Sequence, residues 1–152
     1  MKRILIVIAA MSALLTAVSC DKYEDGRPSK EIRQLFAEMY PDAKDVEWEA
    51  EKGYWKVSFE TGTAPAIVES EAWYDAAGNW VRTETDILPS SVPEEIKTIL
   101  GSSEYGSAMI DEVEYVQTPD EEFYQFSLSL AGLPVCINVY KDGRVALAKF
   151  EW

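Results

Sequence analysis

Carboxylates are the reactive groups this chain holds in quantity: 27 Asp and Glu stand against 14 Lys and Arg, with no histidine. They fall in runs, Glu69/Glu71, Glu94/Glu95, Asp111/Glu112/Glu114 and Asp120/Glu121/Glu122. Two carboxylates perform acid/base hydrolysis when a cleft drives their pKa values apart. Oxygen ligands at loop spacing hold calcium. Glu69 and Glu71 alternate as on a solvated strand face, and Asp120-Glu121-Glu122 lacks the Asp-x-Asp-x-Asp-Gly form of a calcium loop. Without histidine, Ser-His-Asp and Cys-His catalysis and His/Cys zinc sites are excluded. Cys136 lies in the strand-like run Leu133 to Tyr140 with neither a base nor a positive field beside it, so a buried inert thiol is expected. These residues imply no enzyme, no metal site and no cofactor.

Cys20 carries a different chemistry. Met1-Lys2-Arg3 precedes an apolar run from Ile4 to Val18, and Ala17-Val18-Ser19-Cys20 closes it. A cationic start, a short apolar stretch and small residues form an export signal. The run of about 15 residues is shorter than the roughly 20 that a spanning helix needs. Small residues before a cysteine resemble a lipobox, so residues 1–19 are expected to be a lipoprotein signal peptide and Cys20 the lipidated first residue. An ordinary secretory signal cut near Ser19 and an uncleaved anchor are the other readings. Lipidation places the chain in the cell envelope, anchored at the membrane through its N-terminal lipid, with the outer membrane facing periplasm or cell surface as the expected site. It also leaves Cys136 without a disulfide partner.

Removing residues 1–19 leaves 133 of 152 residues, enough for one hydrophobic core. Of the 14 cationic residues, 12 remain against 27 acidic ones, a net charge of −15. Such a chain repels nucleic acid, whose phosphates need clustered Lys and Arg.

The elements follow from periodicity. Residues 20–27 read as a polar tether. Ile32, Leu35, Phe36, Met39 and Tyr40 form one stripe of a helix capped by Ser29 and ended by Pro41. Trp55, Val57 and Phe59 alternate with polar residues, as do Val46, Trp48 and Ala50, and two further strands follow at 67–74 and 79–85. The order then restarts. Ser91 and Glu94 have capping-box spacing, and strands are expected at 111–117, 123–130, 134–140 and 144–152. Asp45-Val46-Glu47-Trp48 aligns with Glu112-Val113-Glu114-Tyr115, and Trp55 to Phe59 aligns with Tyr124 to Leu128. The expected fold is therefore α+β, two tandem units of one helix followed by a four-stranded antiparallel sheet, at about 28–87 and 88–152.

The aromatics supply the candidate binding residues. Strand parity assigns Trp48 and Trp55 to the core. Trp73 falls on the parity of Glu69 and Glu71, and Trp80 on that of Arg82 and Glu84. Large aromatics among charges suit an interface, so Trp73, Trp80 and Arg82 are the expected partner-binding residues.

The stretches Phe36…Tyr40-Pro41-Asp42-Ala43…Val46-Glu47-Trp48, Gly53-Tyr54…Val57-Ser58-Phe59 and Trp73-Tyr74-Asp75…Gly78-Asn79-Trp80 resemble the PepSY-like family, whose fold is similar to beta-lactamase inhibitor protein. With the signal in front, the chain resembles the lipoprotein members of Bacteroides-type envelopes, over essentially all of residues 28–152. The resemblance implies no catalytic residues, and related architectures bind or inhibit proteins through an open sheet face. The expected function is a non-enzymatic, lipid-anchored envelope protein that binds another protein or peptide through its sheet face, in an inhibitory or regulatory role. A small-ligand or calcium-binding envelope module and an envelope-assembly accessory are the alternatives.

Overall fold

The expected hairpins form where the apolar alternation changes phase. The computed structural model describes residues 22–23 and 26–149. Cys20, the expected signal 1–19, part of the tether and residues 150–152 lie outside the described residues. The chain runs β1 (Lys22–Tyr23), α1 (Lys30–Met39), β2 (Lys44–Glu51), β3 (Tyr54–Thr63), β4 (Ala66–Asp75), β5 (Trp80–Asp86), a 3-10 turn (Pro89–Ser91), α2 (Glu94–Ser102), β6 (Met109–Gln117), β7 (Glu122–Leu130), β8 (Leu133–Val139) and β9 (Val145–Leu147). Lys22 and Tyr23, in the segment expected to be a tether, pair in parallel with Glu47 and Trp48 of β2.

Two separate four-stranded sheets, the architecture expected from the repeat, do not form. Among the described residues all nine strands lie in one sheet in chain order, and β2 to β9 are antiparallel throughout. The join is β5 to β6, through Thr83↔Gln117, Glu84↔Val116, Thr85↔Tyr115 and Asp86↔Glu114. Separate sheets would leave two more edges of unpaired N–H and C=O groups, and joining them removes both.

Both helices cover one face. Ile32 and Phe36 of α1 pack with Val46, Trp48, Val57, Phe59, Ala72 and Tyr74. Ile96 and Leu100 of α2 pack with Val113, Phe126, Leu128 and Ile137. Phe36 meets Trp48 and Phe59 edge-on, with ring centroids 5.3 and 5.1 Å away. Burying side chains of this size contributes about 1.5–3 kcal/mol each.

Ser29 caps α1, its hydroxyl accepting from the Ile32 amide at 3.3 Å. The box expected at Ser91 and Glu94 is absent: α2 begins after Pro93, with no side-chain cap. Proline forces the preceding Val92 into an extended conformation (ψ 132°), which moves Ser91 out of reach. The β2–β3 and β7–β8 hairpins turn on two residues each, Lys52-Gly53 (φ 48° and 90°) and Ala131-Gly132 (φ 51° and 81°), the left-handed pairs that match strand twist.

The strand order gives the sheet two distinct ends. One carries the β2–β3, β4–β5, β6–β7 and β8–β9 turns. The other carries the starts of β2 and β6, the β3–β4 and β7–β8 turns, and the segment from β5 through α2.

Candidate functional site: an acidic concave sheet face

The sheet face opposite the helices is built from the polar half of each strand's alternation. Pairing register lines these residues into rows. One row reads Glu49–Lys56–Trp73–Arg82, and the next reads Glu47–Ser58–Glu71–Glu84. Beyond them, Glu60 stands opposite Glu69, and Asp86 opposite Glu114. Three pairs of carboxylates thus face each other directly across neighbouring strands: Glu60/Glu69, Glu71/Glu84 and Asp86/Glu114. Directly opposed like charges destabilise a sheet.

The face is concave, and its recess of about 560 Å³ is lined by all six of these acids together with Asp45, Glu47 and Glu112. Partial burial, then the charges of Glu112, Glu69 and Glu71, raise the Asp86 carboxyl above the usual range. Burial, then Glu112 and Asp86, raises Glu114, although Gln125 donates to it at 2.9 Å.

Two cations are set into this surface. Lys56 pairs with Glu49 and lies 3.4 Å from Glu71 and 3.8 Å from Glu51. Burial alone depresses its pKa, but the bond to Glu49 and the charge of Glu71 hold it above the ordinary value. Arg82 pairs with Glu84 and stacks over Trp73, its guanidinium carbon 5.2 Å from the ring centroid. Burial lowers the Arg82 pKa against the opposing charges of Glu114 and Glu71. Trp73, Arg82, Tyr54, Glu114 and Gln125 line a second recess of about 200 Å³ beside the first.

Of the expected partner-binding residues, the sheet brings Trp73 and Arg82 together and separates Trp80 from both. A register shift at Trp73/Tyr74 pairs Trp73 with Arg82 and Tyr74 with Trp80, leaving Val81 as the extra residue. Trp80 therefore packs on the helix side, and its indole N–H donates to Thr83 at 2.9 Å. The expectation that Trp80 shares the face of Arg82 and Glu84 is corrected by this bulge. Trp73 is itself 6% exposed, largely covered where it stands.

The acidic turn at Asp120-Glu121-Glu122 is committed elsewhere. Glu121 pairs with Arg144 at 3.0 Å, and Glu122 with Lys141 at 2.6 Å and with the Tyr115 hydroxyl. Among the described residues no group of three or more acidic, Cys or His side chains is arranged to hold a metal ion. Cys136 is half-buried, a free thiol whose pKa is raised by burial and by Glu114 and Glu112. Glu47, Glu60, Glu84, Asp86, Glu112 and Glu114 are dispersed along the sequence and come together only in the folded sheet. Apart from Glu60, a single acid on β3, their signal is the alternation of acids on β2, β5 and β6, the same signal that Glu69 and Glu71 give on β4.

A model of the family described as "Putative beta-lactamase-inhibitor-like, PepSY-like" matches residues 53–138. Among solved structures, a BLIP-like protein from Bacteroides fragilis superposes with a TM-score of 0.72 at 24% identity, covering 82% of this chain and 86% of that one. A DUF2874 family protein from Bacteroides uniformis gives 0.67 at 23% identity, covering 78% and 86%. A structure from Bacteroides eggerthii, described as of "putative periplasmic" proteins, gives 0.67 at 20%, covering 79% and 86%. These likenesses carry the fold. No curated protein matches the chain.

Proposed function

This chain belongs to the PepSY-like, beta-lactamase-inhibitor-like family, and we propose that it is a non-enzymatic envelope protein whose concave sheet face binds a cationic, extended segment of another protein, in an inhibitory or regulatory role. Lipidation of Cys20 at the outer membrane, facing the periplasm or cell surface, belongs to the same reading, and the periplasmic description of one structural neighbour agrees with that compartment.

The observation that carries the reading is the set of opposed carboxylate pairs on an open concave face: Glu71/Glu84 has Lys56 and Arg82 beside it, whereas Glu60/Glu69 and Asp86/Glu114 face each other across the recess. A carboxylate facing a carboxylate is unfavourable. A Lys or Arg placed between the two is attracted by both and relieves their repulsion. Steering by a field of one sign also raises the rate of encounter. Trp73 and Arg82 bound this surface on one side and give it a rigid, partly apolar rim.

Calorimetric titration with a decapeptide alternating Lys and Tyr tests the reading. Binding is expected to weaken steeply with salt and to be lost in a Glu60→Gln/Glu69→Gln variant, while Glu38→Gln/Glu104→Gln, which removes acids elsewhere, leaves it intact. Equal binding by both variants would show non-specific attraction to an acidic protein and overturn the proposal.

A further inference from the structure

Among the described residues, most of the exposed large apolar side chains gather in one place; Leu147, 61% exposed on the edge strand opposite Ile137, stands apart from them. Ile67, Leu88, Met109 and Leu133 are 50–70% exposed. All four lie at one end of the sheet. Ile67 adjoins the β3–β4 turn, Leu88 follows β5, Met109 opens β6 and Leu133 follows the β7–β8 turn. Register places them on a common end: Ile67 is opposite Gly62, Met109 opposite Ser129, and Ser129 opposite Pro134. Ile67 and Leu88 line one shared groove of about 880 Å³. At roughly 4.8 Å between strands, the row from β4 to β8 spans about 19 Å.

The N-terminal side of β1 points to the same end. β1 runs parallel to β2, with Lys22 opposite Glu47, and β2 starts at Lys44 beside the β3–β4 turn. Cys20 precedes Lys22 by two residues in the sequence. The chain thus enters β1 from the end that carries the apolar row, two positions after the residue read as the lipid attachment point.

We propose that this end is a membrane-docking surface: the four side chains enter the interface of a zwitterionic bilayer, and the sheet stands on its end with the acidic face turned sideways, open to a partner. The orientation rests on the reading of Cys20 as the anchor. The lipid class follows from the neighbours of the row. Glu69, Asp86 and Glu112 flank the Ile67–Leu88 groove, so an anionic surface repels this end whereas a zwitterionic one accepts its apolar tips.

Photolabelling decides the matter. The full chain, as isolated from membranes, is reconstituted into phosphatidylcholine vesicles carrying a diazirine-tailed phosphatidylcholine, and the labelled peptides are mapped by mass. The proposal predicts label on the segments that carry Leu88, Met109 and Leu133 as well as on the N-terminal peptide. It also predicts about tenfold less label on those tips when Ile67, Leu88, Met109 and Leu133 are all changed to Ser, and weaker tip labelling when phosphatidylglycerol is added. The four sites are exposed, so an unchanged melting temperature is expected. If that variant does not fold, the wild-type label map decides alone. Label on the N-terminal peptide without the tips would overturn the docking surface while keeping the anchor. Label on neither would overturn both.

Discussion

Arg82 lies over the ring of Trp73, its guanidinium carbon 5.2 Å from the centroid, and the two are direct cross-strand partners on the open face. The stack holds a cation among carboxylates that repel one another. Arg82 also pairs with Glu84, with both side chains largely buried. Arg82→Gln therefore removes a counter-charge and leaves acids uncompensated, an expected loss of about 3 kcal/mol at pH 7 in urea unfolding. Arg82→Lys keeps the charge, loses the planar stack and falls between the two. An Arg82→Gln protein as stable as the parent would remove the stack from the account.

Asp86 tests the sign of the electrostatics. Its carboxyl pKa is raised in the folded protein by burial and by Glu112, Glu69 and Glu71. The native state thus holds the proton more firmly than the unfolded chain does. Stability falls as pH rises from the unfolded value through the raised folded value, and the deficit is complete above it. Asp86→Asn is expected to raise the melting temperature at pH 7 and to leave it unchanged near about pH 3, where both states are protonated. A destabilised Asp86→Asn at neutral pH would mean the face is not under repulsion.

The hairpins offer a purely conformational test. Lys52 and Ala131 occupy left-handed backbone at φ 48° and 51°. A Cβ makes that conformation unfavourable, and Asn tolerates it best because its short amide side chain hydrogen-bonds to the local backbone. Lys52→Asn and Ala131→Asn are each expected to stabilise by about 1 kcal/mol in chemical denaturation. Loss of stability in both would contradict the two-residue turns.

Cys136 is expected to be a poor nucleophile. Burial, then Glu114 and Glu112, holds its thiol protonated against the opposing bond to Ser127. Alkylation followed at the Cys136 peptide by mass should run at least about tenfold slower than for free glutathione at pH 7.5 and should accelerate on unfolding in urea. A fast native reaction would reopen a chemical role for this residue.

Much of the fold is legible in local alternation. Trp55, Val57 and Phe59 announce β3, and Ser29 and Pro41 bracket α1. The join of the two halves is not legible, because the Thr83↔Gln117 pairing spans the whole α2 segment and no local pattern encodes it. The acidic site depends on that join: Glu84 and Asp86 meet Glu114 only once β5 and β6 are neighbours. Trp80 shows the other limit. Parity counting assigns it to the open face, and the single extra residue Val81 turns it to the other side.

Site-specific photocrosslinking in the native envelope tests the central claim most directly. A photoreactive residue at Ser58, on the open face beside Glu71, is compared with one at Thr98, exposed on α2. The account predicts a protein adduct from position 58 and none from position 98. The crosslinked peptide should be rich in Lys and Arg, and the adduct should disappear in Glu60→Gln/Glu69→Gln. Equal adducts from both positions, or a captured segment without positive charge, would contradict it.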